Sequence, residues 1–523
     1  MEKEQNKDFY WPLASNYPIK TTELISFFLE SAGEYKKIDI RQRAFLLLYS
    51  ELLKNGENLT GPVFSFQKKY GSFPISPRWF PVIDYLKNSG LINELFLDTN
   101  YHDEPKIFKY YFVCPESLFN DLTDGIALPS FRIFTHGDSL DPEEAISKVI
   151  GELLERVPFL LYREKDFLRA SLKELQEKNR FFLPLNFLAG FSQEQKNKNV
   201  NFDFNEESNF LWAQGKSLFT SKNCFIPSQL IFWNYATNHL GWKEPIIRES
   251  NTNGAGGHFS LQKAILSGLY ELVQRDGFLI YWLNKKAPPK INLKTIESEP
   301  LASFLKVFDQ LDLEVNFFDT TSDLKIPSCI CTIFDHSGVG PRIAMGGGCE
   351  MDWDKMLFRS LIEAATVRHW QRKHKESDTT GDLFLKQDYK PFRDFIGQKE
   401  RLKLWANKEM FKEFDFFLKG EEKSLKELKK NFKSFSSVQD EINFIIEKFR
   451  TLGNEYEIFY YQAKHRALQD LGYFSVKVIV PSLIHLYLRE PFAPLGARRL
   501  KEVPEKLGFR TATEWNPLPH PFP

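Results

Sequence analysis

Asn253-Gly-Ala-Gly-Gly-His-Phe-Ser-Leu-Gln-Lys-Ala-Ile-Leu-Ser-Gly-Leu-Tyr-Glu-Leu-Val-Gln-Arg-Asp276 is the stretch from which the rest of the 523-residue chain is read. Three glycines, Gly254, Gly256 and Gly257, run straight into a helical pattern. Ala264, Ile265, Leu269, Leu272 and Val273 recur at helical spacing and are expected to face a core. Glu271, Gln274 and Arg275 stand at i, i+3 and i+4, so they share the opposite side of that helix. A solvated face with one ion pair is the commoner fate of such residues.

A second copy of the pattern argues for more. Ala145-Ile-Ser-Lys-Val-Ile-Gly-Glu-Leu-Leu-Glu-Arg156 aligns without gaps on Ala264 to Arg275, so that Glu152, Glu155 and Arg156 match Glu271, Gln274 and Arg275. A glycine-bearing loop is expected before each helix, His136-Gly137-Asp138 in the first case. Two helices carrying acid and arginine beside glycine loops suit a polyphosphate: carboxylates hold Mg2+, arginine takes phosphate oxygens, and glycine lets the backbone come close. The P-loop pattern GxxxxGK[ST] is absent from the sequence, so this is a nucleotide site of another kind.

At these residues the chain resembles the YcaO family, whose nucleotide site is built from such helices. The family pattern has a serine and then Glu-x-x-Glu-Arg on the first helix, and a related run after a Ser-Asn-Gly-x-Ala-Ala-Gly loop on the second. Here the loop reads Thr252-Asn-Gly-Ala-Gly-Gly257 and the second helix Ser267-Gly-Leu-Tyr-Glu-Leu-Val-Gln-Arg275. Gln274 stands where glutamate is usual, and Lys148 where the first-helix serine is expected. A third glycine-rich run, Arg342 to Cys349, leads into Met356 to Arg368. Glu363 and Arg368 lie about 140° apart on that helix and are not expected to pair. The family has a glutamine here, and Thr366 replaces it. The resemblance extends to Leu211 to Thr220 with its following strand, to Val480-Pro481, and to Leu495-Gly-Ala-Arg-Arg499. It covers about residues 120–375 and 452–523.

Length and composition set bounds. A chain of 523 residues is expected to form more than one domain. A formal net charge of zero gives no electrostatic case for nucleic acid or membrane. Five cysteines without a CxxC speak against a zinc knuckle and fit a reducing compartment. Cys329 and Cys331 alternate on one strand face and read as core. The polar start and the lack of a long apolar run read as a cytoplasmic, soluble protein.

The expected fold is α+β: a YcaO-type nucleotide-binding domain over 121–523, preceded by a winged-helix-like domain over 1–120. Thr22 to Glu30, Arg41 to Leu53 and Ser76 to Lys87 read as its helices, and Leu91 to Leu97 and Ile107 to Val113 as its β-ribbon. Phe131 to Phe134 reads as a short strand. Residues 374–450, with the charge run Lys419 to Lys430, read as a helical insertion with a solvated face. The end of the sequence, 515–523, alternates Pro517, Pro519, Pro521 and Pro523, which stiffens an extended strand. In the family such a tail resembles that of the azoline-forming cyclodehydratases, where it reaches toward the active site.

The resemblance implies an ATP- and Mg2+-dependent enzyme that converts Cys, Ser or Thr of a ribosomally made precursor peptide into azolines. It implies Glu152, Glu155 and Glu271 as Mg2+ ligands. Arg156, Arg275 and Arg368 are implied at the phosphates, with Asn253, Ser267, Gln274 and Glu363 in the same site. The prolines and the terminal carboxylate are implied in proton transfer or substrate ordering. A leader-binding partner protein and a homodimer are expected, and neither nucleic acid nor membrane. Thioamide or amidine formation, and a non-catalytic subunit of a peptide-modifying complex, are the alternatives.

Overall fold

The structure is a computed structural model that describes residues 75–115, 134–377, 385, 388–430 and 432–522. The helices expected over Thr22 to Glu30 and Arg41 to Leu53 lie outside the described residues. The described chain divides into two compact units: 75–100, 106–115 and 134–153 in the first, and 101–105 with 154–522 in the second.

In the first unit, helix Phe80–Asn88 precedes an antiparallel three-stranded sheet of Glu94–Leu97, Phe108–Val113 and Phe134–Ser139, with Phe108–Val113 in the middle. The last strand corrects the expected loop, because His136-Gly137-Asp138 pairs with Lys109 to Tyr111 as regular sheet. Its glycine serves close packing: a Cβ at Gly137 would lie 2.1 Å from the Ala145 carbonyl oxygen. The helix Pro142–Arg156 follows, capped by Asp141, whose Oδ1 accepts from the Glu143 N–H (2.9 Å), with Pro142 in the first turn. The division between the units falls within this helix, between Leu153 and Leu154.

The second unit holds two large sheets and a two-stranded ribbon of Asn238–His239 and Trp242–Lys243. One runs in the order Ile343–Cys349, Ser328–Asp335, Leu313–Asp319, Lys290–Asn292, Glu422–Ser424. The other runs Leu168–Ser171, Asn209–Ser217, Phe459–Gln462, Phe474–Ile479, Ala255–His258, with Asn223–Pro227 paired to Asn209–Ser217. The central helix Leu261–Leu283 packs against strands of both sheets, and Trp353–Ser377 covers the glycine-rich strand Ile343–Cys349. Seventeen of the central helix's 23 residues are buried, and what exposure remains is a narrow stripe of Lys263, Ser267, Glu271 and Arg275 with Gln262 beside it. It is packed between the two large sheets, so its polar face is narrowed to that stripe.

The insertion is also drawn inward. Helix Gln398–Ala406 buries Trp405, and Phe414 and Phe417 join Trp282 in one aromatic cluster. Within the charged run Lys419 to Lys430, Glu422–Ser424 forms a parallel edge strand beside Lys290–Asn292. Lysine and glutamate suit that position because an edge strand exposes alternate side chains to water. Cys329 and Cys331 are fully buried in the five-stranded sheet, as their alternation implies.

Candidate functional site

Glycine brings the central helix into contact with the strand before it. The Gly254 backbone is left-handed (φ +81°), its N–H donates to Glu271 Oε2 (2.8 Å), and its carbonyl accepts from Val478 N (2.8 Å). A Cβ at Gly254 would meet the Val478 oxygen at 2.3 Å, and one at Gly256 the Ala264 oxygen at 2.1 Å. Only glycine allows the strand to lie this close to the helix, which fixes the Glu271 carboxylate at the loop. Asn253 anchors the same loop by accepting from Leu486 N (3.1 Å), beside Asn251, which donates to the Leu486 carbonyl (2.9 Å).

Arg275 reaches Glu271 Oε1 through Nη2 (3.3 Å), while its buried Nε and Nη1 have no partner. The Gln274 amide, 4% exposed, lies against Gly347, where an added Cβ would fall 2.0 Å from its Nε2. Gly347 N in turn donates to Glu363 Oε2 (2.8 Å). Glu271, Gln274, Arg275 and Glu363 are thereby brought together between the two glycine-rich strands. Ser267 is exposed one turn before Glu271.

Glu155 joins this group. Its Cβ stands 3.0 Å from where a Cβ on Gly257 would be, and its backbone oxygen accepts from Ser475 Oγ (3.0 Å). Arg156, next along, is half-buried. Glu152 belongs to the first unit, where its carboxylate accepts from the His136 N–H and lies 3.1 Å from His136 Nδ1. Arg368 stands with different partners. It is buried and ion-paired to Asp335 (2.7 Å) and Asp103 (3.0 Å), so its Nη2 is committed to carboxylates. Of the substituted positions, Lys148 pairs with Glu144 (2.9 Å) and bonds the Asp138 carbonyl (3.0 Å), and Thr366 is buried with its hydroxyl unpartnered.

The proline tail is part of the core. Asn516 N donates to the Leu283 carbonyl (2.7 Å), Trp282 Nε1 to the Leu518 carbonyl (3.3 Å) and Trp405 Nε1 to the Pro519 carbonyl (3.0 Å). His520 Nε2 bonds the Tyr487 carbonyl (2.8 Å). The tail ends its described course with Phe522 fully buried under the Arg275 guanidinium, 4.0 Å from the ring centroid. Pro517 is exposed, Pro519 and Pro521 are buried, and Pro523 lies outside the described residues.

Two buried cations and a buried histidine beside these acids were not legible in the sequence. Lys477 Nζ donates to the Asn251 carbonyl (2.6 Å). Burial pushes its ammonium down to about 7, against the Glu271 carboxylate, with Arg248 adding to the fall and Glu155 opposing it. Arg248 and His485 complete the group. A lone lysine inside the apolar run Phe474 to Val480 was the available signal. A buried fork was also missed: Arg499 Nε and Nη2 bond Asp276 (2.8 and 2.6 Å), and Nη2 also reaches Asp323 (2.7 Å).

Unpartnered guanidinium and amide donors beside carboxylates at glycine-lined backbone are a donor set suited to a metal-bound polyphosphate. Among the described residues no three carboxylates, imidazoles or thiols cluster closely enough to hold a metal by themselves. Two of the acids accept glycine N–H groups, at Gly254 and Gly347.

A family model described as YcaO cyclodehydratase, ATP- and Mg2+-binding, matches residues 136–484. The chain belongs to the YcaO family. Among curated relatives, an uncharacterised protein of Methanothermobacter thermautotrophicus is 24% identical over 278 residues, 53% of this chain and 66% of that one. A Rhizobium leguminosarum bv. trifolii protein, named for its place in the tfuA 3′ region, is 26% identical over 170 residues, 30% of this chain and 38% of its own. A solved heterocyclase in complex with substrate and cofactor superposes with a TM-score of 0.63 at 19% identity, covering 88% of this chain and 56% of that one. The heterocyclase TruD gives 0.52 at 19% identity, with 84% and 57% covered. The YcaO of Methanopyrus kandleri bound with AMPPCP and Mg2+ gives 0.52 at 16% identity, with 78% and 89% covered. The chain thus spans less than two-thirds of the length of both curated relatives and of the first two heterocyclases. At these identities the structural likeness is one of fold: mixed helix and sheet in the YcaO arrangement. No described helix is long and apolar enough to cross a membrane.

Proposed function

We propose that the chain is an ATP-dependent cyclodehydratase acting on Cys, Ser or Thr of a ribosomally made peptide. The observation that carries this reading is the closure of the acid-arginine group by the proline tail, with Phe522 beneath Arg275 and against Gly347. In the reaction the side-chain sulfur or oxygen bonds to the preceding carbonyl carbon. ATP, with Mg2+, supplies the phosphoryl group that turns the former amide oxygen into a leaving group, so that oxygen departs in phosphate, the nitrogen loses its proton, and a C=N bond closes the azoline. Glu155 and Glu271 would supply oxygen ligands of the metal. Arg275 and Arg156 would take phosphate oxygens, with Gln274, Glu363 and Asn253 placing them and Ser267 at the rim. Arg368, held by Asp335 and Asp103, positions the turn after Ser328–Asp335 in this reading. The buried tail from Pro519 to Phe522 orders the substrate side and keeps water out. A precursor peptide is the proposed partner, with a leader-binding protein and a homodimeric assembly completing the reading.

The test is the mass of the peptide. Cys- and Ser-containing peptides encoded beside the gene, incubated with the full chain, ATP and Mg2+, should each lose one water per ring formed, with phosphate release in step. Exchange of oxygen for sulfur in the presence of a sulfide donor would replace this reading by thioamide formation. An unchanged peptide with no peptide-dependent ATP hydrolysis would make the chain a non-catalytic subunit.

A further inference from the structure

Next to the proposed nucleotide acids, two cations and a histidine are buried with too little acid around them. Arg248 is 8% exposed, yet its Nε and Nη2 have no hydrogen-bond partner. Its neighbour Glu249 is engaged elsewhere, accepting from Arg489 Nε (2.7 Å) and from the backbone N–H groups of Leu488 and Arg489. Burial alone pushes the Arg248 guanidinium down to about 9, with no carboxylate opposing it. His485 is 1% exposed and neither ring nitrogen is bonded. Burial, then Arg248, then Lys477 hold its imidazole well below the usual range, so the three groups sense one another.

The fold brings them together from three separate segments. Lys477 lies opposite Ala255 in the sheet and bonds the Asn251 carbonyl. Asn251 and Asn253 clasp the backbone of Leu486, which holds the segment of Arg248 beside His485. A buried charge without a partner, and a buried donor without an acceptor, both destabilise a fold. A fold keeps such groups together when a bound anion satisfies them. Donors from three segments, two of them cationic, suit a compact oxyanion with acceptors on all sides better than a planar carboxylate.

We propose that Arg248, Lys477 and His485 form a binding site for a phosphate-class oxyanion, distinct from the pairing of Arg275 with Glu271. It rests on the ATP reading only for the source of that anion, which is either the terminal phosphoryl group of the nucleotide or free phosphate.

Calorimetry and thermal unfolding of the full chain test this with inorganic phosphate, with ADP and Mg2+, and with AMPPCP and Mg2+. Arg248→Met removes the unpaired charge and keeps a flexible apolar side chain, so the ligand-free variant should unfold at or above the wild-type temperature. If free phosphate is the ligand, it raises the unfolding temperature of wild type and not of Arg248→Met. If the nucleotide supplies the anion, AMPPCP binds Arg248→Met at least about tenfold more weakly than wild type, a loss of about 1.4 kcal/mol, while ADP binds both alike. Either result supports the site. Equal binding of phosphate and of AMPPCP by the two proteins overturns it. Should Arg248→Met fail to fold, His485→Phe is read in the same way. Failure of both variants to fold would make the trio structural and would also overturn the proposal. Wild type that binds neither nucleotide sinks the ATP reading instead, and leaves the phosphate arm to decide this one.

Discussion

Gly347→Ala probes the joint between the glycine strand, Gln274 and the tail. The new methyl would fall 2.0 Å from Gln274 Nε2, 2.9 Å from its Cδ and 3.0 Å from Phe522 Cε2. Ordinary contact begins near 3.4 Å, so the amide must retreat by about 1.4 Å, the difference between 3.4 and 2.0 Å. Gln274 is almost wholly buried, with Phe522 and Arg275 close by, so the retreat strains a packed region. Overpacking of this kind costs about 1–3 kcal/mol, or roughly 1–3 °C in unfolding temperature at about 1 °C per kcal/mol for a chain of 523 residues. Gln274→Ala removes the obstructing amide, so in that background the same methyl should cost under about 0.5 kcal/mol. The assay is the thermal unfolding of wild type, both single variants and the double variant. Additive shifts, with Gly347→Ala costing as much beside Ala as beside Gln, would refute the contact from which the site is built.

Three further outcomes are expected. Burial, outweighing the Arg401 guanidinium at 3.4 Å and aided by the Glu249 carboxylate, pushes Glu490 up to about 7. An acid with a raised folded pKa stabilises below its unfolded value of about 4.5, and that stability is lost as pH rises through about 7. Unfolding temperatures measured from pH 4.5 to 8 should therefore fall for wild type relative to Glu490→Gln across that window, and parallel curves would count against it. Arg499→Met leaves the buried Asp276 and Asp323 without their cation and should cost about 3–5 kcal/mol, so near-wild-type unfolding would show that the fork is dispensable. Trp405→Phe loses the bond to the Pro519 carbonyl, worth about 1 kcal/mol, and limited proteolysis should then clip the tail sooner. Unchanged cleavage would mean that Trp405 does not hold the tail.

What was legible in the sequence was local. Helical periodicity located Leu261–Leu283, and the glycines before it marked where backbone approaches backbone. The same cue misled at Gly137, because a glycine needed for packing under a helix resembles a loop glycine until its strand partner is known. The alternating prolines indicated stiffness, but the burial of Leu518 to Phe522 depends on Trp282 and Trp405, residues over a hundred positions upstream. The insertion concealed its role for a similar reason: its lysines and glutamates dominate the composition, while Trp405, Phe414 and Phe417 carry the packing. Arg248, Lys477 and His485 were not legible as a group, since sheet pairing and the asparagine clasps on Leu486 assemble them.

In the proposed function the central helix presents a Mg2+-nucleotide site. Calorimetric titration of the full chain with AMPPCP tests it most directly, with and without Mg2+, in wild type and in Glu271→Gln. One nucleotide should bind per chain only with Mg2+ present, with an affinity at least about tenfold weaker in Glu271→Gln, whose unfolding temperature stays near that of wild type. Absence of binding by folded wild type, or equal binding by the variant, would contradict it.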